Sequence, residues 1–331
     1  MTIRPQTRVL VTGGAGYIGS HMVLQLQALG CEVAVIDNLT IGSRRLVPDG
    51  VALHVADVGD ASVVGPLLAS FKPDAVIHFA GSASVPESVL DPLKYYNNNF
   101  IASRSLLESC VAANVQHFIF SSTSAVYGVS PTLPIPEDAP TQPINPYGNS
   151  KLMTEVALRD LAPVTSMRSV VLRYFNVAGA DADCRAGPLG PSSTNVIKSL
   201  AEFIIGKREK LIVYGTDYPT PDGSCIRDYI HVVDLVEAHI AALAYLLDGG
   251  ESRTWNCGYG VGTSVLELMA AAEKVLGRPV AYDLGPRRPG DPPALVAAND
   301  AIRRDLAWTP TRMDLGQMIA SAIAWERHWT G

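Results

Sequence analysis

From Arg8 to Arg173 the chain switches repeatedly between two hydrophobic periods. Short, β-branched, almost wholly apolar runs at 8–12 (RVLVT), 32–37 (EVAVID), 51–55 (VALHV), 75–80 (AVIHFA), 117–122 (HFIFSS) and 169–174 (SVVLRY) read as strands buried on both faces. Between them, apolar positions recur at helical spacing over 17–29, 61–70, 93–114 and 147–161. Six such strands alternating with helices predict a Rossmann-type doubly wound α/β fold, a parallel sheet covered on both sides.

Beyond residue 176 the pattern loosens. Helices are expected near 195–206, 232–247, 264–276 and 315–329, but Gly- and Pro-rich stretches at 186–193, 218–224 and 285–293 separate them. Two domains are expected: 1–176, and a smaller mixed α/β domain at 177–331 from which a segment at about 224–260 packs back on the first. The irregular stretches would line a cleft, because long loops in compact proteins tend to carry function.

Composition narrows the class. The 331 residues are 47% hydrophobic and 18% charged, which excludes a disordered chain. With 26 Lys+Arg against 32 Asp+Glu the net charge is −6, which speaks against nucleic acid or an anionic membrane as a principal partner. No run nears the roughly 20 apolar residues of a spanning helix, and the first residues lead into a strand rather than a signal peptide. Cys31, Cys110, Cys184, Cys225 and Cys257 are scattered and never form a CxxC pair. They predict reduced thiols in a cytoplasmic protein and no metal site.

Chemistry enters at Gly13-Gly14-Ala15-Gly16-Tyr17-Ile18-Gly19, between the first strand and the first helix. The GxxGxxG spacing of Gly13, Gly16 and Gly19 is a variant of the dinucleotide fingerprint. It allows a tight turn, close backbone approach to a pyrophosphate and a helix N-terminus aimed at the phosphates. Asp37 ends the next strand, where a carboxylate accepts from ribose hydroxyls and repels a 2′-phosphate. The cofactor expected is NAD rather than NADP. Asp57, after the third strand, has two readings: a ligand of the adenine edge, or a turn or N-cap acid before the following helix.

Tyr147 and Lys151 form a YxxxK motif near the start of a helix, a spacing that places both on one face. An ammonium beside a phenol lowers a pKa that starts near about 10, making a usable base. The hydroxyl-rich segment Ser121-Ser122-Thr123-Ser124 ends the preceding strand at the same sheet edge.

Read in order, GGAGYIGSH (13–21), DNL (37–39), HFAG (78–81), SST (121–123), YGNSK (147–151) and RYFN (173–176) resemble the extended short-chain dehydrogenase/reductases. DYPTPDGSCIRDYIHVVDL (217–235), NCGYGVGTSVLEL (256–268) and PRRPGDPPA (286–294) narrow the likeness, over roughly residues 8–329, to the UDP-glucose 4-epimerase family. That resemblance implies interconversion of UDP-galactose and UDP-glucose through a 4-keto sugar, with transient reduction of a bound NAD. It implies Tyr147 as base and acid on the 4-hydroxyl, Lys151 as its partner and ribose ligand, and Thr123, of the hydroxyls at 122–124, as the group that orients the 4-oxygen. Cofactor contacts would fall on Gly13, Gly16, Tyr17, Ile18, Gly19, Asp37, Asn38, Leu39, Thr40, Gly42, Asp57, Val58, Phe79, Ala80, Gly81, Asn99, Tyr147, Lys151 and Phe175. Substrate contacts would fall on Thr123, Tyr147, Asn176, Asn195, Ile212, Val213, Tyr214, Arg227, Arg288, Asp291 and Leu295. Arg227 and Arg288 suit a diphosphate, with a surface or interdomain ion pair as the other reading. A homodimer is implied, through the helices at 93–114 and 147–161 pairing as a four-helix bundle.

Two positions depart from the pattern. Ala83 stands where many relatives carry a lysine near the cofactor. Leu295 stands where relatives carry a bulky Tyr or a small residue, so N-acetylhexosamine substrates stay open. A 4,6-dehydratase would need an acid pair directly after Thr123, and Ser124-Ala125 follow instead. A uronate epimerase and a non-catalytic NAD-binding regulatory module are the remaining alternatives. The latter could discard Tyr147 or Lys151, and this chain keeps both. Trp255, Trp308 and His231 read as structural.

Overall fold

The structure, a computed structural model, describes residues 3–190 and 195–329. The Gly/Pro stretch at 186–193 is followed as far as Gly190, and its last three residues lie outside the described residues. The strands are β1 (Arg8–Thr12), β2 (Glu32–Asp37), β3 (Ala52–Val55), β4 (Ala75–His78), β5 (His117–Thr123), β6 (Arg168–Tyr174), β7 (Asn176–Ala178), β8 (Ile212–Tyr214), β9 (Ile226–His231), β10 (Arg253–Cys257), β11 (Gly262–Ser264), β12 (Asp283–Gly285) and β13 (Ala294–Leu295). The α-helices are α1 (Tyr17–Ala28), α2 (Ala61–Phe71), α3 (Val85–Leu90), α4 (Pro92–Tyr95), α5 (Ala102–Ala112), α6 (Pro146–Leu161), α7 (Val196–Ile204), α8 (Val232–Leu247), α9 (Val265–Leu276), α10 (Asp300–Leu306) and α11 (Leu315–His328).

The six apolar runs form a parallel sheet, and β10 adds a seventh strand in the order β10-β6-β5-β4-β1-β2-β3. The two-residue period of each strand divides its side chains between two cores. Val9, Val11, Val35, Ile77 and Ile119 face one way, toward Met22 and Leu26 of α1 and Leu235 and Leu243 of α8. Leu10, Ile36, Val76, Phe118 and Phe120 face the other, toward Val64 and Leu68 of α2, Leu106 and Leu107 of α5, and Leu158 of α6. The chain runs outward from β1 to β3 and returns on the other side at β4, so a crevice opens at the carboxyl ends of β1 and β4.

A second, smaller sheet has the order β11-β9-β13, with β7 also paired to β9, and β8 pairs with β12. The stretch 93–114 is interrupted: α4 passes through a π-helical segment, Tyr96–Ile101, before α5. Around that wide turn the hydroxyls of Ser103 and Thr154 both donate to the Asn99 carbonyl. Trp255 and Trp308 are buried, their indole N–H groups donating to Asp305 and to the Asp234 carbonyl, and the His231 side chain caps α8 by accepting from the Val233 amide.

Candidate active site

The glycine turn joins β1 to α1. Gly13 adopts φ +67°, and a Cβ there would lie 2.7 Å from the Ala80 amide nitrogen. A Cβ on Gly19 would lie 2.1 Å from the Gly13 carbonyl oxygen. Gly16 is the N-cap of α1 with no side-chain cap, and the first turn holds no acid, so the leading N–H groups keep their positive end open to an anion. This cradle fits the pyrophosphate of a dinucleotide. The Tyr17 hydroxyl donates to the Gly179 carbonyl at 2.5 Å, tying the turn to the chain that follows β7, and burial pushes this phenol well above its usual range.

Asp37 is buried at the end of β2 and accepts from the Ala15 amide at 3.0 Å and the Leu39 amide at 2.8 Å. Burial raises its carboxyl and these two amides oppose the rise. A Cβ on Gly42 would meet Asp37 Oδ1 at 2.9 Å, so the loop from Asn38 through Thr40 wraps this carboxylate. Asp57 accepts from the Gly59 amide at 2.8 Å and from the Asn38 side chain at 3.3 Å, and Val58 beside it is buried. The cap of α2 is Asp60, through the Ser62 amide. The N-cap reading of Asp57 therefore fails and the turn reading holds, because the capping acid directly precedes the first turn while Asp57 closes the turn before it on the Gly59 amide.

On the far side of the crevice, Phe79 and Ala80 hang from Thr12 by amide hydrogen bonds of 3.1 and 3.3 Å. Gly81 sits against Asn99 and Lys151, since a Cβ there would lie 2.9 Å from Asn99 Oδ1 and 3.5 Å from Lys151 Nζ. Asn99 is buried and fully engaged: it accepts from the Ser82 amide at 2.7 Å and donates to the Ser82 carbonyl and the Ser150 hydroxyl. Ala83 is exposed beside it.

Tyr147 and Lys151 lie on the buried face of α6, whose N-cap is Asn145. The Asn145 side chain accepts from the Gly148 amide at 2.8 Å and donates to the Gly290 carbonyl at 3.2 Å, locking the helix start to the loop at 288–291. Thr123 ends β5 beside the start of α6, and its hydroxyl accepts from the Ala125 amide at 3.1 Å. Lys151 does not reach the phenol: its ammonium donates to the Ser121 carbonyl at 2.9 Å and lies 5.0 Å from the centre of the Phe120 ring. Burial lowers Lys151 to about 8 against the opposing carboxylate of Glu155. Burial also raises Tyr147, with Thr123 as the opposing influence. The lowered phenol expected from the YxxxK spacing is therefore absent in the protein alone, because dehydration outweighs a cation that is turned toward a carbonyl.

Behind this pair lies a buried polar network. Arg173 holds Glu155 in a fork with a shortest contact of 2.6 Å, Ser122 donates to the same carboxylate, and Arg173 also donates to the Tyr127 hydroxyl. Tyr127 continues to Asn256 on β10 at 2.7 Å.

The remaining candidates gather on and around the small sheet. Asn176 stands opposite Tyr229 in the β7–β9 ladder, and Leu295 stands opposite Arg227 in the β13–β9 ladder. Arg227 is buried and donates to the Ile226 carbonyl at 2.8 Å. Arg288 pairs with Asp291 at 2.7 Å and lies over the Tyr214 ring. Ile212, Val213 and Tyr214 form β8, and Asn195 caps α7 while donating to the Val177 carbonyl at 2.7 Å. Phe175 and Leu295 share one buried cluster with Val126 and Tyr127, immediately after Thr123. The candidates thus form two neighbouring groups, one along the crevice and one around β9, linked by α6, Tyr17 and Phe175. Sequence reasoning passed over Ser121, Ser150 and Asn145. Asn145 was within reach, as an Asn-Pro pair opening a helix is a local signal. Ser121 acts through its carbonyl, which leaves no mark in the sequence.

The profile of the NAD dependent epimerase/dehydratase family matches residues 9–258. A UDP-glucose 4-epimerase of Azospirillum brasilense is 51% identical over 320 residues, which cover 97% of this chain and 92% of that one. The crystal structure of UDP-glucose 4-epimerase from Bifidobacterium longum in complex with NAD+ and UDP superimposes with a TM-score of 0.93 at 39% identity, covering 97% of this chain and 98% of that one. The UDP-Glc/GlcNAc 4-epimerase of Campylobacter jejuni does so with a TM-score of 0.84 at 44% identity, covering 98% and 100%. The chain belongs to the UDP-glucose 4-epimerase family, NAD-dependent isomerases that interconvert UDP-galactose and UDP-glucose.

Proposed function

We propose that Tyr147, Thr123 and Lys151 carry this reaction at C4 of a UDP-hexose. The observation that carries the assignment is that Thr123, at the end of β5, and Tyr147 and Lys151, on the buried face of α6, come together at the carboxyl edge of the large sheet, on the same rim as the glycine turn. Tyr147 takes the proton of the 4-hydroxyl and later returns it. Thr123 holds the 4-oxygen and stabilises the phenolate by donating to it. Lys151, anchored on Ser121, supplies positive charge at the rim. Bound NAD supplies the reversible hydride acceptor. Gly13, Gly16, Tyr17, Ile18 and Gly19 would hold its pyrophosphate, the Asp37–Gly42 loop with Asp57 and Val58 its adenosine, and Phe79, Ala80, Gly81, Asn99, Lys151 and Phe175 its other end. The substrate diphosphate falls to Arg227 and Arg288, and the nucleoside to Asn195, Ile212, Val213, Tyr214 and Asp291. Asn176 and Leu295 face the sugar.

The test is an epimerisation assay on purified protein without added NAD. UDP-galactose should convert to UDP-glucose, and Tyr147→Phe should lower kcat by about 10²–10⁴-fold while NAD stays bound. Near-normal turnover by Tyr147→Phe would sink the assignment. A second reading, that UDP-N-acetylhexosamines are also accepted, is favoured by Leu295, a side chain of intermediate size in the cluster with Phe175. Parallel incubation with UDP-N-acetylgalactosamine decides it.

We further infer a homodimer. Leu93, Ile101 and Met153 are 71, 53 and 41% exposed on the 92–112 and 146–161 helices, an apolar surface that a second copy would cover. Sedimentation at micromolar concentration tests this. We place the protein in the cytoplasm, in keeping with five free thiols. No helix among the described residues is long and apolar enough to cross a membrane. The cofactor domain is taken as 1–176 with a returning segment within about 224–260, which is supported by α8 packing on the large sheet and β10 pairing with β6, while β9 stays in the small sheet.

A further inference from the structure

Tyr229 lies on the central strand of the small sheet and has no part in the assignments above. Side chains directly opposite one another in a ladder share a face, and so do residues two apart on one strand. Asn176 is opposite Tyr229, and Leu295 is opposite Arg227. Asn176, Tyr229, Arg227 and Leu295 therefore project to one side, with Tyr229 between the others. Its ring is packed in the core with 4% of the residue exposed, yet its phenolic oxygen is buried with no hydrogen-bond partner among the described residues. The hydroxyls of Tyr17, Tyr95, Tyr127 and Tyr259, by contrast, all donate to oxygen acceptors. A buried hydroxyl left unpaired is costly and uncommon in folded proteins. Burial raises this phenol; the guanidinium groups of Arg227 and Arg288 favour its ionised form and the Cys225 side chain opposes it.

We propose that Tyr229 donates a hydrogen bond to the diphosphate of the nucleotide sugar, as a third group beside Arg227 and Arg288. This rests on the UDP-sugar reading of the site. An anion held by the two arginines would bring the acceptor that the hydroxyl lacks. A phenol adds a directed donor without adding a third cation to that face, and its rigid ring fixes the donor's position through core packing.

Tyr229→Phe deletes the oxygen and keeps the ring. NAD-loaded Tyr229→Phe protein is expected to bind UDP about 10-fold more weakly by titration calorimetry. It should bind uridine as the unaltered protein does. Without nucleotide it should melt at the same or a higher temperature, because an unpaired polar group has gone. With UDP-galactose the loss should appear in KM, with kcat held within about threefold. Unchanged UDP affinity overturns the proposal, and so does an equal weakening toward uridine, which would move the hydroxyl to the nucleoside. If the unaltered protein itself does not bind UDP, the UDP-sugar reading falls and takes the proposal with it.

Discussion

At the glycine turn one added methyl group collides with backbone, whereas around β9 the binding candidates are side chains, most of them held by a neighbour. Gly13 and Gly19 leave room for nothing but hydrogen, and the groups left open at the start of α1 are main-chain N–H. Around the small sheet, Arg288 leans on Asp291, Arg227 on a carbonyl and Asn195 on Val177. A backbone site has almost no way to vary, which suits a cofactor that stays the same through every turnover. A side-chain site can be altered one residue at a time, which suits a pocket that must define one sugar nucleotide among several. The first should fail all at once and the second by degrees.

The largest break is expected at Gly19→Ala. A Cβ 2.1 Å from the Gly13 carbonyl cannot be relieved by rotating a side chain, so the turn must open. The purified variant should lack bound NAD by its absorbance ratio, and full retention would show that the turn is not built by backbone contact.

Acid should strike the cofactor half next. His21, His78, His231 and His239 are buried and lowered by desolvation to about 4, 3, 4 and 4. His21 and His78 flank the turn on α1 and β4, and His239 packs against Phe79. Their folded pKa values lie below the unfolded value near 6.5, so the unfolded chain binds more protons below neutrality. Their stabilisation is present above about pH 6.5 and is lost as pH falls from there toward 4, by up to about 1.4 kcal/mol per pH unit for each histidine. Urea unfolding at pH 7.5, 6.5 and 5.5 should show a flat upper limb and a steep lower one.

Arg173→Met should cost about 3–5 kcal/mol in chemical denaturation, because Glu155 would be left as an unpaired buried charge. Removing both partners, as Arg173→Met with Glu155→Leu, should recover much of that loss. The smallest and most graded effect is expected on the small sheet. Leu295→Tyr should lower kcat/KM for an N-acetylated substrate relative to UDP-galactose by about 10-fold, the scale of a change in pocket size. If both substrates fall equally, Leu295 does not face the N-acetyl position.

How much could be read in advance follows the same division. The turn was legible because Gly13, Gly16 and Gly19, the strand before them and the helix after them are consecutive in the chain. So was the carboxylate at the end of β2, and so were most helix limits: 232–247 coincides with α8. Asp57 was ambiguous until Asp60 appeared as the cap and Asp57 as the acid of the turn before it. The continuous helix expected at 93–114 concealed a π-helical stretch, since a period of 3.6 does not register one wider turn. Tyr229 was passed over because its neighbours on that face come from β7 and β13, and their register on β9 leaves no mark in the local sequence.

The sequence by itself determined the period of each element, the glycine turn and the residue types able to do the chemistry, because these rest on local sterics and on side-chain identity. Three things were decided only in three dimensions. β10 closes the sheet beside β6, Lys151 turns to the Ser121 carbonyl instead of the phenol, and Tyr229 comes to lie with Asn176, Arg227 and Leu295. Each depends on strand order, ladder register or the cost of burying a charge. Those quantities arise between segments far apart in the chain, and they exist only once the segments have met.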